Sequence, residues 1–207
     1  VRRSAVAPAP PAECRRALEL DPDLRVLLVT GASQGAQSLN HLLDRLAADT
    51  PRAFDGWQVL HLTGPGGPHG PDALQARYDA SGIHARAIPF LDEMGLAWGA
   101  ADLAVSRAGA NSVAEAEVNR VPTIFLPYPF HRDEHQRANA QRLADRGAAI
   151  VEVDHVDPER NWSGAGASIV RLLGDASARR RLEDALDAVE VEDAAQRLAD
   201  LIARAAH

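Results

Sequence analysis

From residue 25 onward, apolar runs the length of a strand alternate with stretches whose apolar positions recur every three or four residues. The strand-like runs are RVLLVT (25–30), WQVLHLT (57–63), ARAIPF (85–90), DLAVS (102–106), PTIFLP (122–127) and AAIVEV (148–153). Between them, AQSLNHLLDRLAAD (36–49), PDALQARYDAS (71–81), MGLAWGA (94–100), ANSVAEAEVNR (110–120) and EHQRANAQRLADRG (134–147) have helical spacing, and Gly147 closes the last as a C-cap. This alternation predicts a parallel sheet, and the continuous apolar centres of the first strands predict helices on both of its faces. The expected fold is α/β, a Rossmann-like doubly wound parallel sheet over residues 25–157. After residue 157 the pattern is helical only, so 158–207 is expected to form C-terminal helices packing on the domain. The opening residues 1–24 begin with Val and run through VRRSAVAPAPPAE, a Pro- and Ala-rich stretch that reads as an interdomain linker or hinge with a further segment upstream. GPGGPHGP (64–71) reads as a mobile loop.

Composition narrows the function classes. At 207 residues and 46% hydrophobic content the chain can bury a sizeable core. A formal net charge of -7 argues against a nucleic-acid partner. The single cysteine, Cys14, excludes an internal disulfide and fits a reducing, cytoplasmic setting. No apolar stretch approaches the roughly 18 to 20 residues that cross a bilayer, so a soluble chain is expected.

Open α/β sheets take ligands at the carboxyl ends of their strands, which draws attention to the turns 31–35, 63–67, 106–112 and 127–136. In the first, GASQG fits the G-x-S-x-G elbow of a serine hydrolase, with Ser33 as nucleophile. That elbow normally follows several earlier strands, one of which leads into half of the oxyanion hole, and here only residues 1–24 precede the strand. An anion-facing turn, with backbone amides and the helix dipole aimed at a phosphate, fits better, and a merely tight turn is the simpler alternative. HRDEH (131–135) spells H-x-x-E-H, an inverted zinc-protease pattern, but Pro127 and Pro129 just upstream make His131 a loop or helix-entry residue and not a mid-helix ligand. No metal is expected. In SRAGANSVAE (106–115) a glycine-containing turn opens a helix, and Glu115 lies about one turn inside it. This layout offers amides to a diphosphate and a carboxylate to vicinal ribose hydroxyls; Glu115 as solvated helix surface is an equal alternative.

Four of these segments, GASQGAQSLN (31–40), FLDEM (90–94), SRAGANSVAE (106–115) and PYPFHRDEHQRANA (127–140), together resemble the nucleotide-sugar-binding half of the MurG family. These are the bacterial UDP-N-acetylglucosamine transferases that make lipid II, the last cytoplasmic peptidoglycan precursor. The resemblance runs from Val1 to about Ile202 and departs at His135-Gln136, where the family often has Gln-Gln. It implies the C-terminal half of a GT-B glycosyltransferase, an enzyme whose two Rossmann-like domains face across a cleft. Ser33 and Gln34 would line the cleft near the diphosphate or sugar. Leu91 and Met94 would hold uracil, and Ala110, Asn111 and Ser112 would meet the diphosphate. Glu115 would take the ribose hydroxyls, Gln136 with His135 the N-acetylglucosamine hydroxyls, and Arg2 would lie at the hinge near the nucleotide. By the same resemblance the catalytic base and the lipid-linked, muramoyl-peptide acceptor site belong to an N-terminal domain outside this sequence, which would hold the full protein on the inner face of the cell membrane. No cofactor is implied beyond UDP-N-acetylglucosamine as substrate. Two other readings keep this chemistry but change its setting: a split nucleotide-sugar-binding subunit that needs a separate acceptor-binding chain, and a UDP-N-acetylglucosamine 2-epimerase of GT-B fold.

Overall fold

The computed structural model describes residues 1–31, 36–130 and 135–189. Among these, β1 (Arg25–Thr30), β2 (Trp57–Leu62), β3 (His84–Ile88), β4 (Leu103–Ser106), β5 (Thr123–Phe125) and β6 (Ile150–Val151) form one sheet in the order β3-β2-β1-β4-β5-β6. Every neighbouring pair is parallel. Each expected strand is present, with β5 and β6 shorter than their apolar runs. The helices are α1 (Pro11–Ala17), α2 (Gln37–Asp49), α3 (Pro71–Ala80), α4 (Met94–Ala100), α5 (Ala110–Val118), α6 (His135–Ala144), α7 (Pro158–Asn161), α8 (Ala167–Gly174) and α9 (Ala176–Asp187). No helix among the described residues is long and apolar enough to cross a membrane.

Strand alternation divides the core in two. On β1, Leu27 and Val29 face a layer built on α2, α3 and α8, where Leu39, Leu43, Leu74 and Ile169 are buried. Val26 and Leu28 face the opposite layer, where Cys14, Trp98, Val113 and Leu143 come from α1, α4, α5 and α6. Each such fully buried aliphatic side chain contributes about 1.5–3 kcal/mol relative to exposure. These two layers are why β1 reads as one apolar run with no polar interruption.

Residues 1–24 are not a free tether. Pro11 starts α1 at its first position, where a missing N–H costs nothing. Cys14 and Leu18 are buried against α4. Arg15 pairs with Asp102 at 2.8 Å, and Asp102 also accepts the Val26 amide at 2.7 Å. Cys14 is the one buried residue of α1, and Arg15 also donates to the Ala100 and Pro22 carbonyls, next to the starts of the central strands β4 and β1. In the tail, α8 and α9 bury Ile169, Leu172, Leu182 and Leu186. Residues 190–207 lie outside the described residues. The 64–71 loop, which its composition marks as mobile, is tied at both ends by Asn40, whose Nδ2 donates to the Thr63 and His69 carbonyls at 2.9 Å each.

Because β1 sits between β2 and β4, the chain leaves β1 toward one side of the sheet and returns on the other. The carboxyl ends of β1 and β4 therefore flank a topological switch point, the usual crevice for a ligand in open sheets.

Candidate functional site

At the switch point the Arg107 amide donates to the Thr30 carbonyl at 3.2 Å, joining the two lips of the crevice. The chain then turns at Gly109 into α5, and no side chain caps the helix. The first intrahelical bond runs from the Val113 amide to the Gly109 carbonyl at 3.0 Å. Ala110, Asn111 and Ser112 thus present the helix's leading amides, with the positive end of its dipole, at the mouth of the crevice. An anion there meets donors already in place.

One turn further along α5, Glu115 is half-buried. Its Oε2 accepts the Trp98 indole N–H at 2.8 Å. Glu115, Asn111 and Ala114 share a pocket of about 100 Å³ with Val1 and Arg2. Arg2 reaches this place because the segment behind it is clamped. The Asn119 side chain donates to the Ala5 carbonyl at 2.8 Å and accepts the Ala7 amide at 2.7 Å. Gly95 lets that segment lie flat on α4, since a Cβ there would collide with the Val6 carbonyl oxygen and approach that of Ser4 to 2.9 Å. Leu91 and Met94, at the head of α4, are partly buried against the second core layer and do not line this pocket. Met94 is one helical turn from Trp98 on the same face.

A second cluster holds the other lip. Arg107 is 6% exposed; its Nη1 pairs with Asp154 at 2.7 Å and donates to the Leu126 carbonyl at 2.9 Å, while Nη2 donates to the Ser38 hydroxyl at 2.8 Å. Ser38 in turn donates to Asp154 at 2.6 Å. Burial alone would raise the Asp154 pKa, but hydrogen bonds from Ser38 and Asn161 and the charge of Arg107 hold it below the ordinary carboxylate value. The Arg107 guanidinium also lies over the Tyr128 ring. In this way the first turn of α2 and the ends of β4, β5 and β6 converge on one buried charge.

Gln136 stands in the first turn of α6, and its Oε1 accepts the Tyr128 amide at 3.0 Å, which pins the loop after β5. His135 is exposed as the first residue of α6. A larger cavity, about 450 Å³, lies along α6 and β6 beside Tyr128, Arg137 and Glu152, and neither His135 nor Gln136 lines it. Ser33 and Gln34 lie outside the described residues, as do His131 and Glu134 of the H-x-x-E-H pattern. The structure thus brings Arg2, Asn111 and Glu115 together, sets Ala110 and Ser112 on the same helical turn, and leaves Leu91, Met94, His135 and Gln136 on neighbouring loops and helix starts. Sequence reasoning passed over Trp98, Arg107, Asn119 and Asp154. The one available signal was an arginine immediately after a strand, in a turn otherwise made of small residues.

Residues 26–160, which span β1 to the start of the tail, match the glycosyltransferase family 28 C-terminal domain. The chain belongs to this family. Among curated members, it is 38% identical over 191 residues to the UDP-N-acetylglucosamine--N-acetylmuramyl-(pentapeptide) pyrophosphoryl-undecaprenol N-acetylglucosamine transferase of Nocardioides sp., covering 92% of this chain and 50% of that protein. The protein of the same name from Ralstonia nicotianae is 38% identical over 208 residues, covering 99% and 54%. The chain therefore spans about half the length of the family members it matches. The crystal structure of Acinetobacter baumannii MurG superposes with a TM-score of 0.72 at 28% identity, covering 97% of this chain and 55% of that one. WaaG, a glycosyltransferase involved in lipopolysaccharide biosynthesis, shares the fold with a TM-score of 0.67 at 14% identity, covering 98% and 54%. A putative UDP-N-acetylglucosamine 2-epimerase from Listeria monocytogenes likewise shares the fold alone, with a TM-score of 0.56 at 15% identity, covering 87% and 44%.

Proposed function

We propose that this chain is the donor-binding half of an inverting glycosyltransferase that transfers N-acetylglucosamine from UDP-N-acetylglucosamine to a polyprenyl-diphosphate-linked muramoyl-peptide in peptidoglycan synthesis. The observation that carries this reading is the meeting of Glu115, Asn111 and Arg2 in one pocket beside the uncapped start of α5. A diphosphate seated on the amides of residues 110–112 places the attached ribose toward Glu115, whose carboxylate accepts from vicinal hydroxyls. Leu91 and Met94, before and at the start of α4, belong in this reading to the base of such a nucleotide. Ser33, Gln34, His135 and Gln136 belong in this reading to the sugar side of the cleft. The names of the curated relatives support the donor and the acceptor.

In the transfer, the acceptor hydroxyl oxygen attacks the anomeric carbon, the bond to the diphosphate breaks with inversion, and the departing UDP carries away the electron pair. The leading amides of α5, with the Arg2 guanidinium nearby, stabilise that charge without a metal. The base that takes the acceptor proton, the lipid-facing surface and the membrane attachment belong to a second, N-terminal domain. Glu115→Ala removes charge-assisted hydrogen bonds of about 1.5–3 kcal/mol. It is expected to weaken UDP binding by roughly tenfold to over a hundredfold in a calorimetric titration. Unchanged affinity would refute the ribose assignment.

A further inference from the structure

The Trp98 indole is 1% exposed, and its only polar atom is spent on Glu115. A buried indole N–H needs an acceptor, and a backbone carbonyl would serve as well. Here the acceptor is a half-buried carboxylate on the next helix, which lines a pocket with Asn111 and Arg2. The contact takes Oε2 alone, and among the described residues no side chain or amide holds Oε1.

The geometry points to Trp98 as a positioning residue for the ligand's diol: it fixes the Glu115 side chain so that the free oxygen meets the ribose hydroxyls. This rests on the ribose assignment to Glu115 made above. A free glutamate samples several rotamers and loses that freedom when it binds. A donor that is itself locked in the core removes this freedom before the ligand arrives. Indole carries no ionisable proton in the working range, so the constraint is the same at every pH where the carboxylate is ionised. The backbone of Glu115 is held as well, since its carbonyl accepts the Asn119 side chain at 2.8 Å. The carboxylate is therefore fixed at both ends of its side chain.

The test is a set of calorimetric titrations of the full chain with UDP and with 2′,3′-dideoxy-UDP, which lacks both ribose hydroxyls. Trp98→Phe keeps most of the ring and removes the N–H. It should weaken UDP binding by roughly three- to tenfold, since one orienting hydrogen bond is lost and no ligand contact is. The loss should vanish with the dideoxy ligand and in a Glu115→Ala background. Replacing Trp98 by benzothienylalanine, in which sulfur takes the place of the N–H at nearly constant shape, should reproduce the effect even if the phenylalanine variant folds poorly. An equal loss for both ligands would show that Trp98 acts only through packing, and unchanged UDP affinity in both variants would also overturn the proposal. If the unsubstituted chain binds the two ligands equally, the ribose assignment itself fails, and the role of Trp98 falls with it.

Discussion

The Arg107 guanidinium sits where water barely reaches it, and its place in the crevice depends on its partners. Nη1 and Nη2 together serve Asp154, the Leu126 carbonyl and the Ser38 hydroxyl, so the guanidinium is the common partner of three chain segments. Removing one member of a buried ion pair leaves the other charge uncompensated, at a cost of about 3–5 kcal/mol. Arg107→Met is therefore expected to lower unfolding stability by that order in urea titrations; a change under about 1 kcal/mol would show Asp154 to be adequately served by Ser38 and Asn161. This residue was illegible in the sequence for a physical reason. Apolar periodicity locates core positions through their hydrophobicity, and a buried arginine or aspartate looks like a surface residue until its partners, 69 residues away in the case of Ser38, are brought to it. Glu115 drew attention in the sequence because the binding role proposed for it has a local pattern: a glycine turn, a helix start and an acid one turn in. Trp98, which orients it, looked like ordinary core.

Among the elements, α2 is tied to β2 and α3 by a buried polar triad. Asn40 uses both hydrogens of its amide on the Thr63 and His69 carbonyls, so its oxygen must accept from His61 Nε2 at 3.1 Å. His61 Nδ1 is then bare and accepts the Tyr78 hydroxyl at 2.9 Å. Burial of this neutral ring lowers the His61 pKa to about 3. In the unfolded chain the same imidazole titrates near 6.5. Below that pH the unfolded state binds the extra proton, so folding stability is full above about 6.5 and falls by up to about 1.4 kcal/mol per pH unit down to the folded value. His61→Gln stays neutral throughout, and the difference in slope between the two proteins in urea midpoints from pH 8 to pH 4 should isolate this contribution; parallel slopes would contradict it.

The clamp of the N-terminal segment on α4 makes a second element-level prediction. Gly95→Ala pushes a methyl group into the Val6 and Ser4 carbonyls, which are backbone atoms that cannot rotate away. The expected cost is about 1–3 kcal/mol, the usual range for overpacking. Hydrogen exchange at the Ala7 amide, now bonded to Asn119, should accelerate in the same variant. Protection retained at Ala7 would mean that α4 moves and the segment does not. The helices α2 to α6 were legible from spacing alone. α1 was not, because a short helix carrying Cys14 as its one fully buried residue has too few apolar positions to show a period.

For the whole molecule, the expected doubly wound sheet and the observed strand order agree because a continuous apolar run such as that of β1 arises where both faces are covered, and β2 is buried along its whole length even at Gln58 and His61. The strand order itself, with β1 next to β4, was not written in any local pattern. It follows from how two helical layers share the sheet and from the right-handed crossovers that parallel strands require. A ligand that spans the β1 and β4 ends binds only the assembled sheet, so UDP at a hundredfold excess over its dissociation constant should stabilise the domain by about 2.7 kcal/mol, read as a raised Tm. Val26 meets Asp102 across 76 residues of chain. Strands β1, β2 and β3 come first and pair with their sequence neighbours, whereas the β1 and β4 contact must close the longest loop in this half of the sheet. The crevice is the edge of that closure. A site proposed to span that crevice is complete only when the seam has made the two halves of the sheet one body.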